Sequence, residues 1–153
     1  YNSMKKKNTI NNVSRPYVFV PMSADILHHG HINILQKSKK LGNVVVGLMT
    51  DKGISSYKGK KPFLKFKNRK KILQEIKSID KIIPINGLLY EQFAKKYKFD
   101  FFVHGSDWKK GPQSEQRKRL KKIMRTWGGK VVEYTYTAGI SSTKIKNKIY
   151  IWN

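Results

Sequence analysis

Three of the chain's four histidines stand within four positions, in the stretch Ile26-Leu27-His28-His29-Gly30-His31. Imidazoles this close together serve transition-metal ligation, anion binding through N–H donors, or a plain polar turn. The spacing favours anion binding. With a helix beginning near Gly30, His28 and His31 lie three positions apart and face the same way across its first turn. Gly30 removes a side chain that would keep a ligand off the backbone. The free amides and partial positive charge of the helix start complete a pocket for phosphate oxygens, with two imidazole donors at its side. His29, between them, points elsewhere and supports. A metal would need more ligands; Asp25 and His104 are the candidates, and neither has a diagnostic spacing.

Other residues offer related chemistry. In Gly139-Ile140-Ser141-Ser142-Thr143-Lys144 the glycine permits a tight turn from strand to helix, and the hydroxyls are good N-caps beside free amides. An ordinary capped helix would show the same pattern. Lys58 stands in a basic stretch where it can swing over a bound polyphosphate or remain solvated. Trp108 is a core aromatic, or an indole that stacks on a base or faces an ammonium. Arg69, near the start of a helix, faces a phosphate or water.

The elements that must position these residues alternate regularly. Apolar runs at Tyr17 to Met22, Val44 to Thr50, Lys81 to Ile85, Asp100 to Gly105 and Lys130 to Tyr136 read as strands. Between and after them, Ile32 to Gly42, Asn68 to Ile79, Tyr90 to Tyr97, Ser114 to Gly129 and Ser141 to Trp152 read as helices. Asp51 to Phe66 reads as a long basic loop. The alternation predicts an α/β, doubly wound, Rossmann-like fold: a five-stranded parallel sheet with helices on both faces. Ligands of such sheets bind beyond the carboxyl ends of the strands. His28, His29 and His31 follow the first strand, Asp51 the second, His104, Asp107 and Trp108 the fourth, and Gly139 to Thr143 the fifth. All four histidines thus fall on one edge.

The bulk composition bounds the rest. A chain of 153 residues fits one domain with its own core. Residues 1–16 read as a polar, mobile leader, with Tyr1 to Ser3, before Met4, as a tag remnant; 17–153 read as the single domain. There is no cysteine, hence no disulfide, thiolate nucleophile or cysteine-based zinc site. No apolar run approaches the ~20 residues of a membrane span and no signal peptide is visible, so a cytoplasmic protein is expected. The net charge of +24 is almost all lysine, spread along the chain. Arginine, the better residue for forked phosphate or base contacts, is scarce, so the charge reads as coding bias and not as a nucleic-acid surface. It still draws small anions toward the protein.

The segment Asp25-x-x-His28-x-Gly30-His31 resembles the HxGH signature of the nucleotidyltransferase superfamily that contains cytidylyltransferases and small adenylyltransferases. Tyr136 to Lys146, "YTAGISSTKIK", is similar to the RTEGIST segment of cytidylyltransferases. Its second half is also similar to the ISSTxIR segment of adenylyltransferases. "HGSDW", His104 to Trp108, resembles the GDDW segment of glycerol-3-phosphate cytidylyltransferases. "YKGKK", Tyr57 to Lys61, resembles the loop carrying the catalytic lysine of phosphocholine cytidylyltransferases. The four segments come in family order. Taken together with "GLMTDK", they most resemble the cytidylyltransferase domains associated with phosphonate biosynthesis, which are taken to load 2-aminoethylphosphonate or a related phosphonate onto CMP.

This resemblance implies a cytidylyltransferase using CTP, Mg²⁺ and a small anionic acceptor such as 2-aminoethylphosphonate, with glycerol 3-phosphate, phosphocholine or an adenylyltransferase activity as alternatives. It implies a homodimer and no nucleic-acid partner. His28, His31 and Lys58 become catalytic. Ser23, Ala24, Asp25, Gly30, His104, Gly105, Asp107, Trp108, Gly139, Ile140, Ser141, Ser142, Thr143 and Lys144 become nucleotide-binding, and Tyr57, Arg69 and Tyr136 substrate-binding. Asp25 is the single side chain that offers itself to the metal. Two segments depart from the common pattern: Tyr136-Thr137-Ala138-Gly139 stands for Arg-Thr-Glu-Gly, and Met22-Ser23-Ala24-Asp25 for Gly-x-Phe-Asp.

Overall fold

The computed structural model describes residues 9–152, with side chains up to Ile149. The strands are β1 (Tyr17–Met22), β2 (Asn43–Met49), β3 (Lys81–Ile85), β4 (Phe101–Gly105) and β5 (Lys130–Tyr134). They form one parallel sheet in the order β3-β2-β1-β4-β5. β2, β1 and β4 are the inner strands, and the apolar side chains of β1 and β2 point alternately to two buried faces. Phe19 and Val45 enter one core with Phe99 and Phe102; Val18, Val20, Val44 and Val46 enter the other with Leu35 and Val103.

The helices are α1 (His29–Lys39), α2 (Asp51–Lys58), α3 (Phe66–Leu73), α4 (Glu91–Tyr97), α5 (Ser114–Arg125) and α6 (Ser142–Trp152), with a 3₁₀ turn at Ser106–Lys109. Leu35 of α1 and Leu73 of α3 cover the second core; Ile54 of α2, Ala94 of α4 and Leu120 and Met124 of α5 cover the first. The sheet winds one way from β1 through β2 to β3 and the other way from β4 to β5. The reversal therefore falls between β1 and β4, and the crevice outside their carboxyl ends is the fold's binding position.

Three sequence expectations are corrected. The stretch after β2 is not all loop: Thr50 caps α2 through a bond from the Gly53 amide at 3.1 Å, and Ile54 packs inward. The glycine and serines there disguised one good cap and one buried residue. The helix expected over 68–79 ends at Leu73, because Glu75, Ile76 and Ile79 donate to carbonyls three residues back in successive tight turns. The domain also begins before Tyr17. Ile10 is buried and its amide donates to the Tyr17 hydroxyl at 2.9 Å, while Arg15 donates to Lys98 O, Tyr97 O and Asp100. Tyr1 to Ser3 lie outside the described residues.

Candidate active site

His28 is the N-cap of α1. Its Nδ1 accepts from the Gly30 amide at 3.0 Å, and the His31 Nδ1 accepts from the His28 amide at 3.1 Å. This is a capping box built from two imidazoles. Both Nδ1 atoms are acceptors, so the neutral rings carry their proton on Nε2, and each offers one N–H donor away from the backbone. The rings lie 4.1 Å apart, centroid to centroid. Burial, then the neighbouring His29, lowers the pKa of His28; burial, then His28, brings His31 down to about 4. Both are uncharged donors at neutral pH. Gly30 is required by contact: a Cβ there would meet the His28 ring at 2.8 Å. His29 is exposed, as expected.

The turn feeding α1 is strained. Ala24 and Ile26 have φ of 51° and 91°, unfavourable for residues with a Cβ and most of all for a β-branched one. The strain places the Ile26 carbonyl against Ser142 Oγ at 2.8 Å, which ties the histidine turn to the start of α6. Ser141 caps that helix, accepting from the Lys144 amide at 3.1 Å. Two helix starts therefore converge beside the imidazoles.

The cleft at the β1/β4 edge has two lobes, of ≈ 230 and ≈ 400 Å³. Ser23, Ala24, Asp25, Lys58, His104 and Gly105 line the first. His28, Gly30, Gly139, Ile140, Ser141 and Lys144 line the second. His31, Tyr136 and Ser142 line both. Sequence-predicted residues from four chain segments thus meet at one place, while Asp107, expected at the nucleotide, is exposed and lines neither lobe. Thr143 is exposed beside the second lobe, and Tyr57 hydrogen-bonds Ser23 across 2.8 Å between hydroxyls.

Other assignments change. Arg69, expected to bind substrate, is 1% exposed, and its guanidinium bonds Leu64 O, Ser23 O, Met49 O and Asp51 at 2.7–2.9 Å. It clamps the ends of β1 and β2, with four of its five N–H donors on protein oxygens. Trp108, expected at the nucleotide, is 3% exposed, stacked on His104 at 3.8 Å and on Phe102 at 5.9 Å. Its Nε1 donates to Glu133 at 3.2 Å. Burial also lowers the pKa of His104, against the opposing pull of the Gly105 carbonyl, Asp107 and Glu133.

Asp25 is 1% exposed and accepts from the Phe63 and Leu64 amides, each at 3.0 Å, and from Lys146 at 2.5 Å. Burial raises its pKa, but Lys146 and the two amides outweigh burial and lower it overall. A carboxylate so occupied positions the cleft walls; it is not an open metal ligand. Among the described residues no three His, Asp or Glu side chains gather as a metal site. Sequence reasoning missed Lys146 and placed Asp51 on the edge without a partner, because nothing in the local pattern tells a paired charge from a solvated one. Glu133 was missed too. Burial pushes its carboxyl up, but Arg117 and Lys121 prevail and bring it down to about 2.

Among the described residues no helix is long and apolar enough to cross a membrane. The family model for cytidylyltransferase-like proteins matches residues 20–148. The chain is 33% identical over 128 residues to a glycerol-3-phosphate cytidylyltransferase of Staphylococcus aureus, covering 82% of this chain and 89% of that one. To a protein of the same name from Bacillus subtilis it is 35% identical over 127 residues, covering 82% and 90%. Among solved structures, a lipopolysaccharide core biosynthesis protein from Thermoplasma volcanium superposes with a TM-score of 0.64 at 27% identity, covering 79% of this chain and 97% of that one. With its neutral histidine pair, two converging helix starts and a matched span reaching from β1 into α6, the chain belongs to the cytidylyltransferase-like family.

Proposed function

We propose that this cytidylyltransferase transfers CMP from CTP to a small phosphate- or phosphonate-bearing acceptor and releases pyrophosphate. The observation that carries the reading is the reciprocal cap of His28 and His31, which fixes two uncharged Nε2–H donors beside two helix N-termini. The acceptor's oxygen is already ionised, so no side-chain base is required. It attacks the α-phosphorus, the bond to the β-phosphate oxygen breaks, and pyrophosphate carries the electron pair away. The charge that develops on the non-bridging oxygens and the leaving group is met by His28, His31, Lys58 and Lys144, with the positive dipole ends of α1 and α6 behind them.

Magnesium, expected from the family resemblance, would be held by phosphate oxygens and water, since among the described residues no cluster of side chains supplies ligands. It would supply charge neutralisation on the triphosphate. A homodimer is part of the same proposal, and light scattering at assay concentration reads it directly.

The named relatives point to glycerol 3-phosphate as acceptor. The motif resemblance at the strand ends points to 2-aminoethylphosphonate. The deciding experiment is pyrophosphate release with CTP or ATP, crossed against 2-aminoethylphosphonate, glycerol 3-phosphate and phosphocholine. Release with CTP and any one acceptor supports the reading; release with ATP alone, or with no pair, overturns it. Lys58→Ala lowers turnover at least about tenfold in the productive pair, as loss of a charge at the leaving group should.

A further inference from the structure

The last turn of α2 brings Lys58 to the wall of the first lobe, and little holds it there. Ile54 is buried, but Ser56, Tyr57 and Lys58 are exposed. The Ser56 hydroxyl donates to Lys52 O within the helix. Among the described residues Lys58 forms no ion pair. One tie remains: the hydroxyls of Tyr57 and Ser23 share a hydrogen bond of 2.8 Å. Among the described residues no other side-chain hydrogen bond joins this turn to another element.

Tyr57 lines neither lobe, although Ser23 and Lys58, its neighbours in space and in sequence, both line the first. Its hydroxyl is taken up by Ser23. Its ring lies 5.5 Å from the Lys58 Nζ, within reach of a cation–π contact. Both contacts of the side chain therefore lead to Lys58.

The chain beyond Lys58 returns to the same turn after β1. Gly59 ends α2 with φ of 68°, and the Phe63 and Leu64 amides donate to Asp25. Ser23 and Asp25 flank the strained Ala24. Residues 57–64 thus form a strap fixed at both ends to one turn, with Lys58 beside the Ser23 end. The Asp25 end is anchored to a buried carboxylate, and the Ser23 end hangs on one exposed hydrogen bond. A lysine has a long side chain to order, so its ammonium serves a fixed phosphate only as well as the backbone beneath it is held.

We propose that Tyr57 is a positioning residue for Lys58: its hydroxyl, latched to Ser23, holds the last turn of α2 so that the ammonium stands at the first lobe. The proposal rests on the cytidylyl-transfer reading above. Tyr57, expected from the family resemblance to touch substrate, then acts on the reaction through Lys58 alone.

The test is Tyr57→Phe, which removes the hydroxyl and keeps the ring. In the productive pair of CTP and acceptor, kcat falls at least about fivefold while both KM values stay within about twofold. In Lys58→Ala enzyme the same change adds nothing: the double variant turns over within about twofold of Lys58→Ala. A loss that multiplies in the double variant overturns the proposal, because a merely structural hydroxyl acts whether or not the lysine is present. Unchanged kcat overturns it too, and a KM raised at least about fivefold beside it marks direct contact with substrate. Hydrogen exchange reads the latch without turnover. The Gly59 amide donates to Ser55 O at 2.9 Å and closes the turn. It exchanges at least about threefold faster in Tyr57→Phe than in wild type. Where no acceptor is turned over, the cytidylyl-transfer reading falls and exchange alone decides the latch: equal rates overturn it, and the faster rate supports it.

Discussion

β1 and β4 deliver histidines to the same edge of the sheet, and the two exits use them in opposite ways. After β1, the backbone spends its free amides on the imidazoles: Gly30 and His28 donate to Nδ1 atoms, and the rings face the cleft through Nε2. After β4, the ring of His104 is stacked between Trp108 and the neighbourhood of Tyr90, with its Nδ1 on the Gly105 carbonyl. Burial lowers the pKa in both places, so charge state does not separate them. The partner of Nδ1 does. An amide on Nδ1 forces the proton outward toward a ligand. A carbonyl beside Nδ1 draws the proton inward and turns the ring into packing.

The largest expected effect lies at the β4 exit. Trp108→Ala removes a buried ring from the stack with His104 and Phe102 and costs about 3–5 kcal/mol in chemical denaturation. A loss below about 1 kcal/mol would show that the indole is a ligand platform after all.

At the β1 exit the effect is catalytic. His28→Ala and His31→Ala each lower kcat about a hundredfold or more, as removal of one oxyanion donor does. Circular dichroism stays near wild type, with only the loss of a cap, about 1 kcal/mol, at His28. Full activity in both variants would remove the distinction between the two exits.

Acid sharpens the comparison next. The unfolded chain binds a proton on His31 near 6.5, the folded chain only at about 4. The unfolded state therefore holds more protons between those values. Stability from this ring is complete above pH 6.5 and is lost as pH falls through the window to 4, by about 3 kcal/mol. His31→Gln flattens that slope in a denaturation series. The smallest effect is expected from His104→Phe, which keeps the stack and lowers kcat by no more than about threefold, since the ring's work there is packing.

The sheet was legible because β1 and β2 are buried on both faces and carry unbroken β-branched and aromatic runs. The His28–His31 site was legible because its spacing, its glycine and its helix start all follow from local chain geometry. Arg69 and Trp108 were misplaced for one reason: whether a guanidinium or an indole faces ligand or protein depends on partners 18 to 46 positions away, such as Asp51, Glu133 and the Ser23 carbonyl. The helix at Asp51–Lys58 stayed hidden because a glycine and two serines outweigh one threonine cap in any local reading.

Asp25 binds the segment that follows Lys58 to the helix that follows the GISST turn, through two amides on one side and an ammonium on the other. The Phe63 and Leu64 amides sit outside any helix or strand, yet they are anchored to an interior anion. Their deuterium uptake will be slow and will keep pace with the opening of α6, so these two distant stretches of chain loosen together or not at all.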